Sequence, residues 1–196
     1  MVGAPSFAAN LASIGLAHGL TIAVMIAALG AICGGHFNPA VTFGFVVTGR
    51  MSVVTGMIYW IAQLVGASIA GFLLVGLAGK GFVDGGTPDL GTNVNALTGI
   101  ILEAVTTFFL VLVIFGTAVD KRAPASVFPF AIGLTVALDI MAIGPLTGGA
   151  MNPARTFGPA LASAHWANHL VYWIGPLIGG GLAGLVQHYF LMEPDA

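Results

Sequence analysis

The sequence predicts an all-α membrane protein, with five full transmembrane helices plus two re-entrant half helices arranged as an inverted repeat. Charge is the first observation behind this reading. Five basic and seven acidic residues make up 6% of 196, against about 25% in soluble domains, and the mean hydropathy is +1.02. A soluble fold of this length could not hide a chain that is 58% hydrophobic with 29 glycines, whereas packed membrane helices use both. The second observation is the lengths of the apolar runs, and the third is a repeat within the chain.

Each spanning helix needs about 20 apolar residues, and residues 7–32, 52–78, 99–119, 127–146 and 169–192 supply them. The runs after Asn38 and Asn152 hold only about 10–12 residues, the length of a re-entrant piece. Arg50 closes the first of these and residues 163–168 close the second. Arg50, Lys121 and Arg122 share one side of the membrane, and the connection 79–98 with Lys80, Asp84 and Asp89 lies on the other. The positive-inside rule makes the first side cytoplasmic, which also puts the tail with Glu193 and Asp195 inside. The opening MVGAPSFAANLASIG has no basic residue before its apolar stretch and does not read as a cleaved signal peptide.

Sliding the chain by 114 positions aligns GLTIAVMIAALGAICGGHFNPAVTFG at 19–44 with GLTVALDIMAIGPLTGGAMNPARTFG at 133–158, and 15 of the 26 pairs are identical. Polar matches, Thr21 with Thr135, Asn38 with Asn152 and Thr42 with Thr156, argue against chance similarity of apolar runs. Three spans separate the two copies, so they run in opposite directions, as in channels and transporters. A single transmembrane domain over 1–196 follows, with a first repeat at about 7–78 and a second at about 99–192. Subtracting 114 from the helix 99–119 puts its mate at about −15 to 5. The sequence therefore leads us to expect an empty helix position, explained by a fragment, a natural five-span variant or a start codon placed too late.

Both short runs begin Asn-Pro-Ala: Asn38, Pro39, Ala40 and Asn152, Pro153, Ala154. Asparagine is a strong N-cap and proline is tolerated at the first helical position, so each motif starts a half helix. Inversion brings two positive helix ends and two amides together at the centre of a path, which suits a neutral molecule and repels cations. The preceding loops contain Gly34, Gly35, His36 and Gly148, Gly149, Ala150. Irregular backbone at that depth survives only where it lines a cavity or is buried in protein, so these residues are assigned to the pore wall. Arg155 is the only basic residue inside a predicted membrane segment and marks function by default.

With GGHFNPAVTFG and GGAMNPARTFGPAL at this separation, the chain resembles the aquaporins, or major intrinsic proteins, over most of its length. The resemblance implies six tilted helices and two half helices, one pore per subunit and a homotetramer in the lipid bilayer. It implies a selectivity filter of His18, Ile140, Gly149 and Arg155, similar to that of plant vacuolar (tonoplast intrinsic) aquaporins that pass ammonia as well as water. Glu103, in EAVTTF, resembles the family's brace for the second re-entrant loop, with a simple helix N-terminal charge as the alternative. His36 resembles a cytoplasmic-vestibule histidine, and Thr156, Ala160, Tyr172 and Trp173 resemble the water-selective pattern. The chain departs from the family in the first helix and the glutamate which that helix usually carries.

Asp139, beside Ile140, stands where the family has an uncharged residue; pairing with Arg155, bonding to loop backbone and protonation all remain open. His165, His169 and His188 read as interfacial, Cys33 as a buried small residue, and GPLIGGGLAGL as a helix-packing face. No metal spacing, cofactor motif, catalytic constellation or basic patch for nucleic acid is present. The function expected is passive permeation of water, with ammonia or another small neutral solute as a second permeant. A glycerol facilitator and a nonconducting truncated subunit are the alternatives, and an ion-coupled transporter is a weaker fourth. A cell membrane is favoured over a vacuolar one.

Overall fold

A computed structural model of the chain describes residues 11–193, and its helices other than α4 follow the apolar runs to within a few residues. In order these are α1 (Leu11–Cys33), α2 (Pro39–Val47), α3 (Val53–Ala78), α4 (Lys80–Gly86), α5 (Ala96–Ile114), α6 (Phe128–Thr147), α7 (Pro153–Ser163) and α8 (Val171–Val186). Helices α5 and α8 each continue through one wider π turn, Phe115–Val119 and Gln187–Leu191. Among the described residues four helices, α1, α3, α6 and α5 with its π turn, are long and apolar enough to cross a membrane; α8, with 16 residues, is lengthened by its π turn to Leu191. The expectation about the helix at −15 to 5 lies outside the described residues.

Boundaries follow local chemistry. Ser52 caps α3 by accepting from the Thr55 N–H, and Asn95 caps α5 by accepting from Thr98. That cap starts α5 three residues before the position read from hydropathy, because a polar asparagine, not the first apolar residue, sets the end. The connection 79–98, for which the sequence predicts no element, contains α4. Its sequence KGFVDGG has low helix propensity, so its order comes from tertiary contacts: Val83 is buried, α4 packs on α3 and α7, and the Thr87 hydroxyl lies 3.4 Å from that of Ser163.

The helices pack in repeat-related pairs. Helix α1 crosses α6, α5 crosses α8, α3 packs on α7, and α2 on α8. Gly19 and Gly133, equivalent positions of the two copies, meet at the first crossing, where a methyl on either would collide with the other's carbonyl. In α8 the glycine run is a packing face: Gly175 and Gly179 lie against the α5 backbone at Ile100 and Ala104, while Gly180 and Gly184 lie against α2 at Ala40 and Gly44. Close backbone approach of this kind is how helices associate without a hydrophobic drive between them. The core inside the bundle includes Val111, Phe115, Ile140 and Met151. Many outward side chains on α1 and α3, such as Val24, Ile58 and Ile69, are exposed apolar groups, as a lipid-facing surface requires.

Candidate functional site

The two half helices α2 and α7 start at the Asn-Pro-Ala motifs, with each asparagine in extended backbone. Asn38 Oδ1 accepts from the Ala40 N–H at 2.9 Å, and Asn152 Oδ1 accepts from Ala154 at 3.0 Å and Arg155 at 3.3 Å. The amide nitrogens cross between the halves: Asn38 Nδ2 donates to the Met151 carbonyl at 2.8 Å, and Asn152 Nδ2 donates to that of Phe37 at 2.9 Å. Each half helix is thus capped by its own asparagine and tied to the other's loop.

Those loops share an unusual backbone. Gly34 and Gly35 have φ of 71° and 63°, and their equivalents Gly148 and Gly149 have 81° and 58°. Phe37 and Met151 also take positive φ, 40° and 52°, a conformation costly for residues with a Cβ and tolerated where surroundings impose it. In the second loop much of that imposition comes from Glu103. Fully buried in α5, its carboxylate accepts from Thr147 Oγ1 at 2.6 Å, Ala150 N at 2.9 Å and Met151 N at 2.6 Å. It stands well beyond the first turn of α5, so a helix-end charge does not account for it. Tyr172 Oη adds a bond to the Thr147 carbonyl at 2.8 Å, and Tyr59 repeats it on Cys33 at 2.9 Å.

His18, Asn38, Ile140, Ala150, Asn152 and Arg155 line one cavity of about 170 Å³. On the side of the 79–98 connection, outward by the positive-inside reading, it shares His18, Ile140 and Arg155 with a vestibule of about 720 Å³. On the opposite side it shares Gly35 and His36 with a cavity of about 180 Å³ that Gly34 and Phe45 also line. The three spaces adjoin in series through these shared residues. Gly148 lines the outer vestibule, while Pro39, Ala40 and Pro153 are buried in helix packing. Ala154 faces a separate groove of about 600 Å³ on α3, which also reaches Asn152 and Arg155. Gly149 lines none of these spaces; it lies against the Ile140 backbone, where a Cβ would come within 3.0 Å.

The polar groups on the path differ in what they offer. His18 Nδ1 lies 2.9 Å from the Ile14 carbonyl, which can only accept, so Nδ1 carries the hydrogen and a neutral ring presents Nε2 as an acceptor. Arg155 donates from Nη2 to Gly148 O at 3.4 Å. Its Nε and Nη1 are buried with no partner among the described residues. His36 bonds Thr42 Oγ1 at 3.2 Å and stacks against Phe45 and Tyr59. The Asp139 Oδ2 atom is buried and unpartnered among the described residues. No cluster suited to a metal occurs among them.

Residues 2–187 match the family model described as "Major intrinsic protein". The chain belongs to the major intrinsic protein family. Among similar proteins of this aquaporin family are "Aquaporin TIP2-1" of Arabidopsis thaliana, 47% identical over 90% of this chain and 71% of that protein, and "Probable aquaporin TIP2-1" of Oryza sativa subsp. japonica, 48% identical over 91% and 71%. The fold matches the X-ray structure of the aquaglyceroporin from Plasmodium falciparum with a TM-score of 0.78, 22% identity, and coverage of 92% and 83% of the two chains. An aquaporin-type multi-pass membrane channel is therefore the class of this protein.

Two features of the outer vestibule escaped sequence reading. Phe82 of α4 lines it beside His18 and Arg155, and His165, read as a bare interfacial residue, bonds Asp84 and Asp89. The aromatic inside a polar connection was a usable signal for Phe82. His165 gave none, since its partners lie 81 and 76 positions away.

Proposed function

We propose that the chain is a passive channel for water, with ammonia as a second small neutral permeant, working as a homotetramer with one pore per subunit. The observation that carries this reading is the series of adjoining cavities along the bundle, the central one lined by both asparagines and by Arg155, whose Nε and Nη1 have no partner among the described residues. Two positive half-helix ends and a fixed guanidinium oppose cations, while amides and imidazole exchange hydrogen bonds with neutral molecules. Within the filter we assign His18, Ile140 and Arg155 to the wall. Gly149 contributes by leaving room for Ile140, and Glu103 braces the loop between them. Similarity to TIP proteins supports water as the main permeant and keeps a vacuolar membrane beside the cell membrane as the residence.

Stopped-flow shrinkage of proteoliposomes tests the water reading. Ammonia-driven alkalinisation in the same vesicles tests the second permeant, and His18→Phe should lower ammonia flux more than water flux. Wild-type vesicles that pass water but show no alkalinisation above empty liposomes would remove ammonia and leave the water channel. The α3 groove that reaches Asn152 and Arg155 favours one second reading, a subunit that does not conduct by itself. Absence of any water flux would carry that reading.

A further inference from the structure

The outer vestibule is walled on one side by the segment 80–89, and that segment is held by a side chain from the far end of α7. His165 follows the last turn of α7, with its N–H bonded to the Ala160 carbonyl. Its ring reaches across to two carboxylates: Nδ1 lies 2.8 Å from Asp84 Oδ1 on α4, and Nε2 lies 2.9 Å from Asp89 Oδ2 just beyond α4. Asp89 is further fixed by Asn168 Nδ2 at 2.8 Å and the Leu90 N–H at 2.7 Å. The same α7 begins with the turn that carries Arg155. One imidazole therefore links the filter's half helix to the vestibule wall that carries Phe82.

Valence makes this link depend on protonation. A neutral imidazole has one N–H and one lone pair, and an ionised carboxylate only accepts. Both ring nitrogens can donate only in the imidazolium; in the neutral ring one lone pair faces a carboxylate oxygen, and a bond becomes a repulsion. We propose that His165 is a positioning residue for selectivity: as imidazolium it clamps the 80–89 segment and Phe82 over the outer mouth, and on losing its proton it releases them. This rests on the channel reading above.

The charged groups that act on the ring are Asp84 on α4 and Asp89 on the following segment; Lys80 also belongs to α4, and His169 to the ring's own connection. His169 Nε2 accepts from the Trp173 indole and is unprotonated there. Arg155 lies deeper, at the mouth. The bond to Asp84 is the largest influence on His165; with the bond to Asp89 and both negative charges it outweighs desolvation and holds the imidazolium above its usual 6.5. Partial burial pushes the Asp89 carboxyl up, but its bonds from Asn168, Leu90 and His165 prevail and hold it below 3.8. The clamp is thus closed between these limits. It opens as pH rises through the raised histidine value, and again as pH falls through the lowered carboxylate value.

The full chain in proteoliposomes, buffered equally on both sides at about pH 5.5 or about pH 8.5 on either side of an imidazole titration, gives the test. The readout is the ratio of urea to water permeability, since the filter still limits water when the mouth loosens. In wild type the ratio should rise about twofold or more at the higher pH; in His165→Gln, which keeps one donor but cannot carry charge, it should be high at both. Hydrogen exchange of 80–90 at the lower pH, which needs no conduction, should be faster in His165→Gln and in Asp84→Asn than in wild type. Wild type that conducts water with a pH-independent ratio, or a His165→Gln ratio that titrates as wild type does, overturns the proposal. If wild type passes no water at either pH, the channel reading falls and the exchange comparison judges the clamp, with equal rates overturning it.

Discussion

Replacing Glu103 by glutamine separates bracing from simple packing, because the two side chains have nearly the same shape. Two donors, Thr147 Oγ1 and Ala150 N, fall on Oε1, and one, Met151 N, falls on Oε2. Glutamine keeps one carbonyl for the first pair and turns its NH2 toward the Met151 N–H. Losing one charge-assisted bond costs about 1.5–3 kcal/mol, and an unpaired buried N–H costs a similar amount. Removing a fully buried charge offsets part of this. The net is a destabilisation of about 1–3 kcal/mol, concentrated in the loop that sets Gly149, Ala150 and the Met151 carbonyl. Thermal unfolding in detergent should show a clear drop for Glu103→Gln, and stopped-flow water permeability should fall several-fold in protein that still assembles. Thr147→Val leaves both N–H bonds to the carboxylate but removes the hydroxyl's bond to it and the 3.2 Å bond that the hydroxyl accepts from the Gly149 N–H, and should cost about 1–2 kcal/mol. If Glu103→Gln melts and conducts as wild type while Thr147→Val is impaired, the loop does not depend on the carboxylate and the reasoning fails.

Gly19→Ala and Gly133→Ala should each lower the melting temperature, by about 1–3 kcal/mol of overpacking at the shared crossing; the double variant should cost less than their sum, because both strain the same contact. Arg155→Val should raise uptake of urea and methylamine relative to water, since it removes a fixed cation and a fork of donors at the mouth; unchanged selectivity in assembled protein would make Arg155 structural. Asp139→Leu should raise thermal stability by about 1–2 kcal/mol, because it replaces a carboxylate with a buried unpartnered oxygen by an apolar group of the same branching, with the larger methyls offsetting part of the gain; a loss of stability would point to a partner for that carboxylate in the assembled protein.

Much of the fold was legible because the membrane imposes a coarse rule. Backbone groups in lipid must be bonded within the segment, so an apolar run of the right length is a helix, and hydropathy placed α1, α3, α6 and α8 to within a few residues. The half helices were legible from capping chemistry, since Asn-Pro fixes where α2 and α7 begin. What failed to show was held by contacts distant in sequence. Helix α4 has glycines at its second, sixth and seventh positions and exists because Val83 and Thr87 are anchored by neighbours. The clamp of His165 on Asp84 and Asp89 joins two connections that composition alone reads as polar. Gly149 shows a subtler gap, because position in a filter motif cannot say whether a residue faces the path or makes room behind another that does.

The repeat explains why the centre of the path is ordered at all. Two loops with glycines in left-handed backbone and two further residues in positive φ would be among the least stable parts of an isolated repeat. Each is completed by the other: the Asn38 amide closes on Met151 and the Asn152 amide on Phe37, while Tyr59 and Tyr172 make equivalent bonds to the carbonyls of Cys33 and Thr147. A contact made across the two-fold relation occurs twice for one arrangement of the helices, so a displacement of either half helix breaks bonds in both loops. Gly19 against Gly133 sets the distance at which this reciprocity works, because a larger residue at either position would force α1 and α6 apart. Glu103 adds a further brace to the second loop. Its three bonds, to Thr147, Ala150 and Met151, stiffen the loop that leads to Arg155, the fixed charge of the path, whose position has the most to lose from movement.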